Sequence, residues 1–106
     1  MIVKFDKEYL SELFYYGKSS DKKHRFQPNV IQNYKRRIET LNNAPNIESL
    51  YALHALNYEI LVGDKKGISS IRINKQYRLE FAASYDIENE LTITICNILD
   101  ITNHYK

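Results

Sequence analysis

The chain has 106 residues, of which 43% are hydrophobic and 26% are charged, as in one ordinary soluble globular domain. Its single cysteine excludes a disulfide within the chain. We find no export signal at the N-terminus and no apolar run of the roughly 20 residues that span a bilayer. We therefore expect one domain over residues 1–106, located in the cytoplasm and without membrane contact.

The net charge is only +2, but the charges are unevenly distributed. Residues 13–37 carry seven Lys or Arg and one Asp, and residues 63–78 carry five and one. Residues 79–100 carry five acidic side chains and no basic one. Basic segments attract phosphate backbones, although charged runs often only face solvent. Composition alone leaves both interpretations open.

The first half of the chain predicts one strand and two helices. Asp6 is a candidate N-cap for the first helix, Gly17 is a typical stop, and Pro28 suits a first helical position because it lacks an N–H. The predicted elements are a strand over 2–5, a helix from near Lys7 to Gly17, a basic loop over 17–26, a helix from Pro28 to near Asn42, and a short turn or helix over 47–53.

From residue 58 onward the sequence predicts strands. Residues 58–62 are apolar, 63–67 and 86–90 are rich in turn residues, and the segments around 71–73, 77–81 and 91–96 alternate apolar with polar side chains. Alternation with a period of two sends Arg72 and Arg78 away from the apolar side of the sheet. The order predicts an α+β fold, with an N-terminal strand and two helices packed on a twisted antiparallel β-sheet.

The segment GDKKGISSIRINKQYRLEF, residues 63–81, resembles the central motif of HigB-type toxins in the RelE/ParE superfamily. That motif combines a G-D-R-K-G turn, an S-I-R-I-N strand, a short turn and a strand that opens with an aromatic residue and Arg. Residues 32–53 resemble the family's second helix and the turn after it, and the likeness extends over nearly the whole chain.

The resemblance implies the toxin of a toxin–antitoxin operon, which cleaves messenger RNA on the translating ribosome. It also implies a cognate antitoxin, a small helix-turn-helix protein, so that any contact with operator DNA would come only through that partner. Neither a cofactor nor a metal is expected. The sequence contains no acidic cluster typical of a two-metal site and no Cys/His spacing typical of zinc.

Metal-independent RNA cleavage needs a base for the 2′-hydroxyl, a cation for the phosphorane and an acid for the leaving oxygen. The resemblance assigns the cation to Arg72, whose alternative role is a surface ion pair with Glu80. It assigns the other chemistry to the terminal His104 and Tyr105, although the family order of these two residues is exchanged here. Glu59 replaces a histidine frequent in the family, and a carboxylate can serve as the base.

The predicted RNA-binding residues are basic side chains in two regions: Lys65, Lys66, Lys75 and Arg78, and Lys22, Lys23, Arg25 and Arg36. Arg78 has an equal alternative as a residue that braces the sheet. The second region has two further alternatives, antitoxin contact and plain solvation. Two rival functions also remain: a non-enzymatic ParE-like toxin that binds DNA gyrase, and a degenerate toxin homologue.

Overall fold

The computed structural model describes residues 1–103. Two helices pack on one face of a five-stranded sheet, which confirms the predicted α+β class. The elements are β1 (Ile2–Phe5), α1 (Glu8–Tyr16), α2 (Pro28–Asn43), β2 (Glu59–Ile60), β3 (Ser69–Arg72), β4 (Tyr77–Glu88) and β5 (Leu91–Asn103). Short 3₁₀ helices cover Glu48–Ala52, His54–Leu56 and Gly63–Lys65. In this part of the chain no helix combines the length and apolar character needed to cross a membrane.

The sheet has the strand order β1-β5-β4-β3-β2. Its three pairings from β5 to β2 are antiparallel, as predicted, but β1 lies parallel to β5. The sequence predicted the antiparallel strands but not the partner of the N-terminal strand, which joins the sheet at this edge. Both helices and three strands lie between β1 and β5 in the chain, so no tight turn imposes an antiparallel direction.

The core lies between the helices and the sheet. Most of its fully buried side chains come from α1, α2 and the central strands, among them Leu10, Leu13, Tyr34, Ile38, Leu41, Ile71, Leu79, Phe81 and Ile98. Gly17 ends α1 in the left-handed region with φ of 73° and Pro28 begins α2, both as predicted. Asp6 is not the N-cap, since Lys7 occupies that position and makes no side-chain capping hydrogen bond.

The β4–β5 hairpin is longer than the sequence predicted. Its strands continue to Glu88 and Leu91, and only Asn89 and Glu90, both with positive φ, form the turn. The register shifts between Glu80 and Phe81, where β5 contributes one extra residue. In β5 the alternation holds, but Thr94 and Cys96 face the core and Ile95 stays partly exposed. Phe81 and Ile98 are paired and both face the core. Cys96 and Thr94, two and four residues before Ile98, therefore face the core as well.

Tyr34 links the two helices, and its substitution with phenylalanine tests that link. The hydroxyl of this fully buried residue donates to the Leu10 carbonyl at 2.7 Å, so we expect Tyr34→Phe to lower the free energy of unfolding by about 1 kcal/mol. Burial raises the pKa of Tyr34 above its ordinary 10.0. The unfolded chain therefore loses this proton first, and the stability that the neutral phenol contributes is lost as the pH rises above about 10.

Urea unfolding between pH 7 and pH 11 measures both effects. Above about pH 10 the wild-type free energy of unfolding should fall more steeply than that of Tyr34→Phe, by up to about 1.4 kcal/mol per pH unit. Tyr16, which is 75% exposed, supplies the matched control Tyr16→Phe. Equal slopes in wild type and Tyr34→Phe would contradict the prediction.

Candidate functional site

The face of the sheet turned away from the helices carries two rows of polar side chains. Strand register places Ser70 opposite both Glu59 and Glu80, and places Arg78 opposite both Arg72 and Thr102. Directly paired residues project to the same side of a sheet. Arg72 and Arg78 therefore leave the apolar side, as the alternation predicted, and share one row.

Arg78 is held inside this face and is only 5% exposed. Its Nε donates to the Ser70 hydroxyl at 2.6 Å, and one terminal nitrogen donates to the carbonyls of Asn57 and Ser70 at 2.7 and 3.1 Å. Burial lowers the pKa of Arg78, and the charge of Arg72 adds to the lowering while Glu59 opposes it. These contacts favour the role of bracing the sheet over that of a phosphate ligand.

Glu80 is also buried, at 7% exposure, and it is paired. Lys65 Nζ lies 3.1 and 2.9 Å from its two carboxylate oxygens, and the Thr102 hydroxyl donates to one of them at 3.3 Å. The alternative of an Arg72–Glu80 ion pair is therefore wrong, because Lys65 occupies that carboxylate. Lys65 remains about half exposed, but its charge is partly compensated.

Arg72 is partly exposed at the end of β3. Its Nε donates to the Asn74 carbonyl at 3.2 Å, and within residues 1–103 no carboxylate lies within 4.0 Å of its guanidinium. It is a cation without a carboxylate partner in that part of the chain, on a face where the neighbouring Arg78 and Lys65 both have one. Arg72 therefore has N–H donors on this face that can take an external anion.

Arg37 belongs to the same region, although the sequence indicated only that it lies with Arg36 in the basic stretch of α2. From α2 its Nε donates to the Arg72 carbonyl at 2.6 Å. Burial lowers the pKa of Arg37, and the positive charges of Arg36 and Arg72 lower it further. Its spacing could have revealed it, because Arg37 stands three residues after the buried Tyr34 and next to the buried Ile38. It therefore flanks the packed side of α2, whereas Arg36 is exposed.

Glu59 and the predicted loop lysines lie at the rim of this face. Glu59 is about half exposed, and its Oε1 is 3.6 Å from a terminal nitrogen of Arg78. Lys66 and Lys75 are exposed, on the loops before and after β3. Neither lysine has a carboxylate within 4.0 Å among the residues that the structure describes. Both are free to meet an anionic partner.

The basic loop between α1 and α2 is anchored near the end of β5. The His24 ring stacks on Tyr9 with 3.6 Å between centroids, and its Nδ1 lies 2.8 Å from Asp21. The backbone N–H of Lys23 and then His24 lower the pKa of Asp21. Phe26 packs edge-on against Tyr77, the first residue of β4. Three predicted RNA-binding residues of this loop are exposed: Lys22, Lys23 and Arg25.

The terminal pair His104 and Tyr105 lies outside the described residues. The last described residue, Asn103, pairs with Tyr77 at the end of β5. Thr102, the residue before it, stands in the row that contains Arg78 and Arg72. Adjacent strands lie about 4.8 Å apart, so the backbone of Arg72 is roughly 10 Å across the sheet from the strand that leads into the predicted pair.

Comparison with known proteins identifies the family. A model of the RelE-like toxin HigB of type II toxin–antitoxin systems matches residues 3–100. The chain belongs to this HigB-like toxin family. It is 40% identical to toxin HigB-1 of Vibrio cholerae over 82 residues, which are 76% of this chain and 82% of that protein.

The solved structure of the YoeB/ParE toxin from Agrobacterium tumefaciens superposes with a TM-score of 0.62, covering 99% of this chain and all of that one. The two sequences are only 15% identical, so this likeness shows the RelE-like fold alone. Family membership confirms the resemblance inferred from residues 63–81. The protein is a type II toxin, and its family implies a cognate antitoxin.

Proposed function

We propose that this toxin is an endoribonuclease that cleaves messenger RNA on the translating ribosome by metal-independent transesterification. The observation that carries the proposal is Arg72, a partly exposed guanidinium with no carboxylate within 4.0 Å in residues 1–103. An arginine fork presents parallel N–H donors that match the oxygens of a phosphate. An uncompensated arginine on an open sheet face is therefore suited to hold the scissile phosphate.

The reaction needs no group beyond the RNA and the protein. The 2′-hydroxyl oxygen attacks the adjacent phosphorus while a base takes its proton, and the bond from phosphorus to the 5′-oxygen breaks as an acid protonates that oxygen. The products are a 2′,3′-cyclic phosphate and a 5′-hydroxyl. Arg72 stabilises the extra negative charge on the phosphorane between these two events.

We assign the base and the acid to Glu59 and to the terminal pair His104 and Tyr105. Glu59 is the proposed base, because its carboxylate is half exposed and is held beside the buried guanidinium of Arg78. His104 and Tyr105 are proposed to act as proton donor and acceptor, since imidazole and phenol can each exchange a proton with an RNA oxygen. In the sequence both follow directly after the end of β5.

The exposed basic residues would bring the RNA and the ribosome to this face. We assign phosphate contacts to Lys66 and Lys75 beside β3 and to Lys22, Lys23, Arg25 and Arg36 on the helical side, with a smaller contribution from the paired Lys65. Such contacts supply affinity that falls with salt and carries little sequence preference. We further propose that the toxin is one cytoplasmic domain and that a helix-turn-helix antitoxin links it to operator DNA.

Induced expression in a bacterial host, followed by primer extension on cellular messenger RNA, tests the proposal. We expect wild-type toxin to stop growth and to produce new 5′ ends in frame with codons. His104→Ala and Tyr105→Phe should lose those ends while accumulating to the same level. Growth arrest with inhibited DNA supercoiling and without new ends would overturn the proposal in favour of a gyrase-binding toxin. Harmless expression of folded protein would indicate a degenerate homologue.

A further inference from the structure

The outer edge of β3 is left open at Arg72. The neighbouring strand β2 pairs only with Ser69 and Ser70. On the other side, the Ile73 N–H donates to the Tyr77 carbonyl and so faces β4. Because backbone groups alternate in direction along a strand, the Arg72 carbonyl faces outward, beyond the end of β2. There it accepts the 2.6 Å hydrogen bond from Arg37 Nε, which satisfies an edge group that the sheet leaves unpaired.

Arg37 and Arg72 are anchored in the same way. Each guanidinium binds a backbone carbonyl through Nε, that of Arg72 for Arg37 and that of Asn74 for Arg72. Within residues 1–103 the terminal nitrogens of both have neither a hydrogen-bond acceptor nor a carboxylate partner. In each case the edge of the fork that binds phosphate with two hydrogen bonds is therefore available.

We propose that Arg37 and Arg72 form a two-arginine clamp for consecutive phosphates of single-stranded RNA. Arg72 would hold the scissile phosphate and Arg37 the next one along the backbone. This inference rests on the proposed ribonuclease function and deepens it, because it gives α2 a direct part in binding the substrate. The ligand in this proposal is a phosphodiester chain, in which each fork binds its own phosphate.

The electrostatics of the pair support an anionic ligand. Burial and the charges of Arg36 and Arg72 lower the pKa of Arg37, because both disfavour its charged form. A bound anion removes this repulsion and gains charge-assisted hydrogen bonds. A purely structural Arg37 would only cap the Arg72 carbonyl, and a neutral N–H donor could do that equally well.

Salt-dependent binding of a 2′-O-methyl RNA oligonucleotide, which cannot be cleaved by this reaction, tests the clamp. Each phosphate neutralised contributes about 0.7 to the slope of log K against log salt for a single strand. We expect Arg37→Gln and Arg72→Gln each to lower this slope by about 0.7 and to weaken binding roughly tenfold. Arg37→Lys, which keeps the charge but not the fork, should restore the slope and only part of the affinity.

Lys4→Gln is the matched control, because it removes one exposed positive charge at the opposite edge of the sheet; it should change neither slope nor affinity. An unchanged slope in Arg37→Gln, with unfolding confirming a native fold, would overturn the clamp and leave a structural cap. Equal loss of affinity for a polyglutamate peptide would overturn it in favour of an acidic protein ligand. The salt slope could change as expected while the toxin cuts no messenger RNA. That result would refute the ribonuclease proposal but keep the phosphate site.

Discussion

Arg72→Ala is expected to lower messenger RNA cleavage by at least about a hundredfold, the usual cost of removing one donor that stabilises transition-state charge. The loss should appear in the rate of cleavage more than in affinity for RNA, because the charge on the phosphorane is greatest in the transition state. Primer extension on cellular messenger RNA after a short induction measures the frequency of cuts. Arg72→Lys should recover a small part of the activity, since an ammonium supplies charge without the planar fork.

The fold should tolerate this substitution. Arg72 gives up one side-chain hydrogen bond, to the Asn74 carbonyl, while the bond from Arg37 goes to its backbone and does not depend on the side chain. We therefore expect the free energy of unfolding to change by less than about 1 kcal/mol, with Lys4→Gln as the control for a lost surface charge. Undiminished cleavage by Arg72→Ala would remove this residue from the chemistry.

The sequence predicted those parts of the fold that local patterns determine. In α2 the buried residues Val30, Tyr34, Ile38 and Leu41 recur at helical spacing, and Gly17 ends α1 for a conformational reason. The parallel pairing of β1 with β5 joins residues that are far apart in the sequence, such as Ile2 and Ile95. No turn residue or periodicity in either strand encodes that partnership, so local patterns could not predict it.

The candidate site was also predicted only where local patterns determine it. Alternation in β3 and β4 placed Arg72 and Arg78 on the correct face, but alternation gives direction and not depth. Arg78 is buried because Asn57, in the left-handed region with φ of 46°, brings its carbonyl to the guanidinium. Arg37 reaches the site from another element altogether. Its role depends on the hydrogen bond by which α2 meets the end of β3, which appears only in three dimensions.

We therefore expect different effects from substituting Arg72 and Arg78, the two arginines that share one row of the sheet. Arg72 stands at an open strand edge with only one backbone acceptor, so its loss affects chemistry. Arg78 is 5% exposed and joins three groups from β3 and from the segment before β2, so its loss affects the fold. Measuring both activity and stability in variants of Arg72 and Arg78 therefore tests whether the first acts in chemistry and the second in the fold.

Arg78→Met is expected to lower the free energy of unfolding by about 3 kcal/mol. Methionine fills similar space but donates no hydrogen bond, so the buried hydroxyl and carbonyl of Ser70 lose a donor, and each buried unsatisfied group costs about 1–3 kcal/mol. Glu59 also loses the cation beside it, although its half-exposed carboxylate can turn to water. Urea unfolding at neutral pH measures the change, and Arg78→Lys should recover only a fraction of it because one ammonium cannot reach all three acceptors.

A double-mutant cycle with Glu59→Gln then separates the hydrogen bonds of Arg78 from its ion pair. If the backbone contacts dominate, Glu59→Gln alone costs less than about 1 kcal/mol, as for other exposed ion pairs, and the coupling energy between the two substitutions is correspondingly small. RNA binding by Arg78→Met should then fall in proportion to the folded fraction and recover at lower temperature. A stable Arg78→Met protein that no longer binds RNA would instead make Arg78 a phosphate ligand, because only a contact with the substrate could then explain the loss.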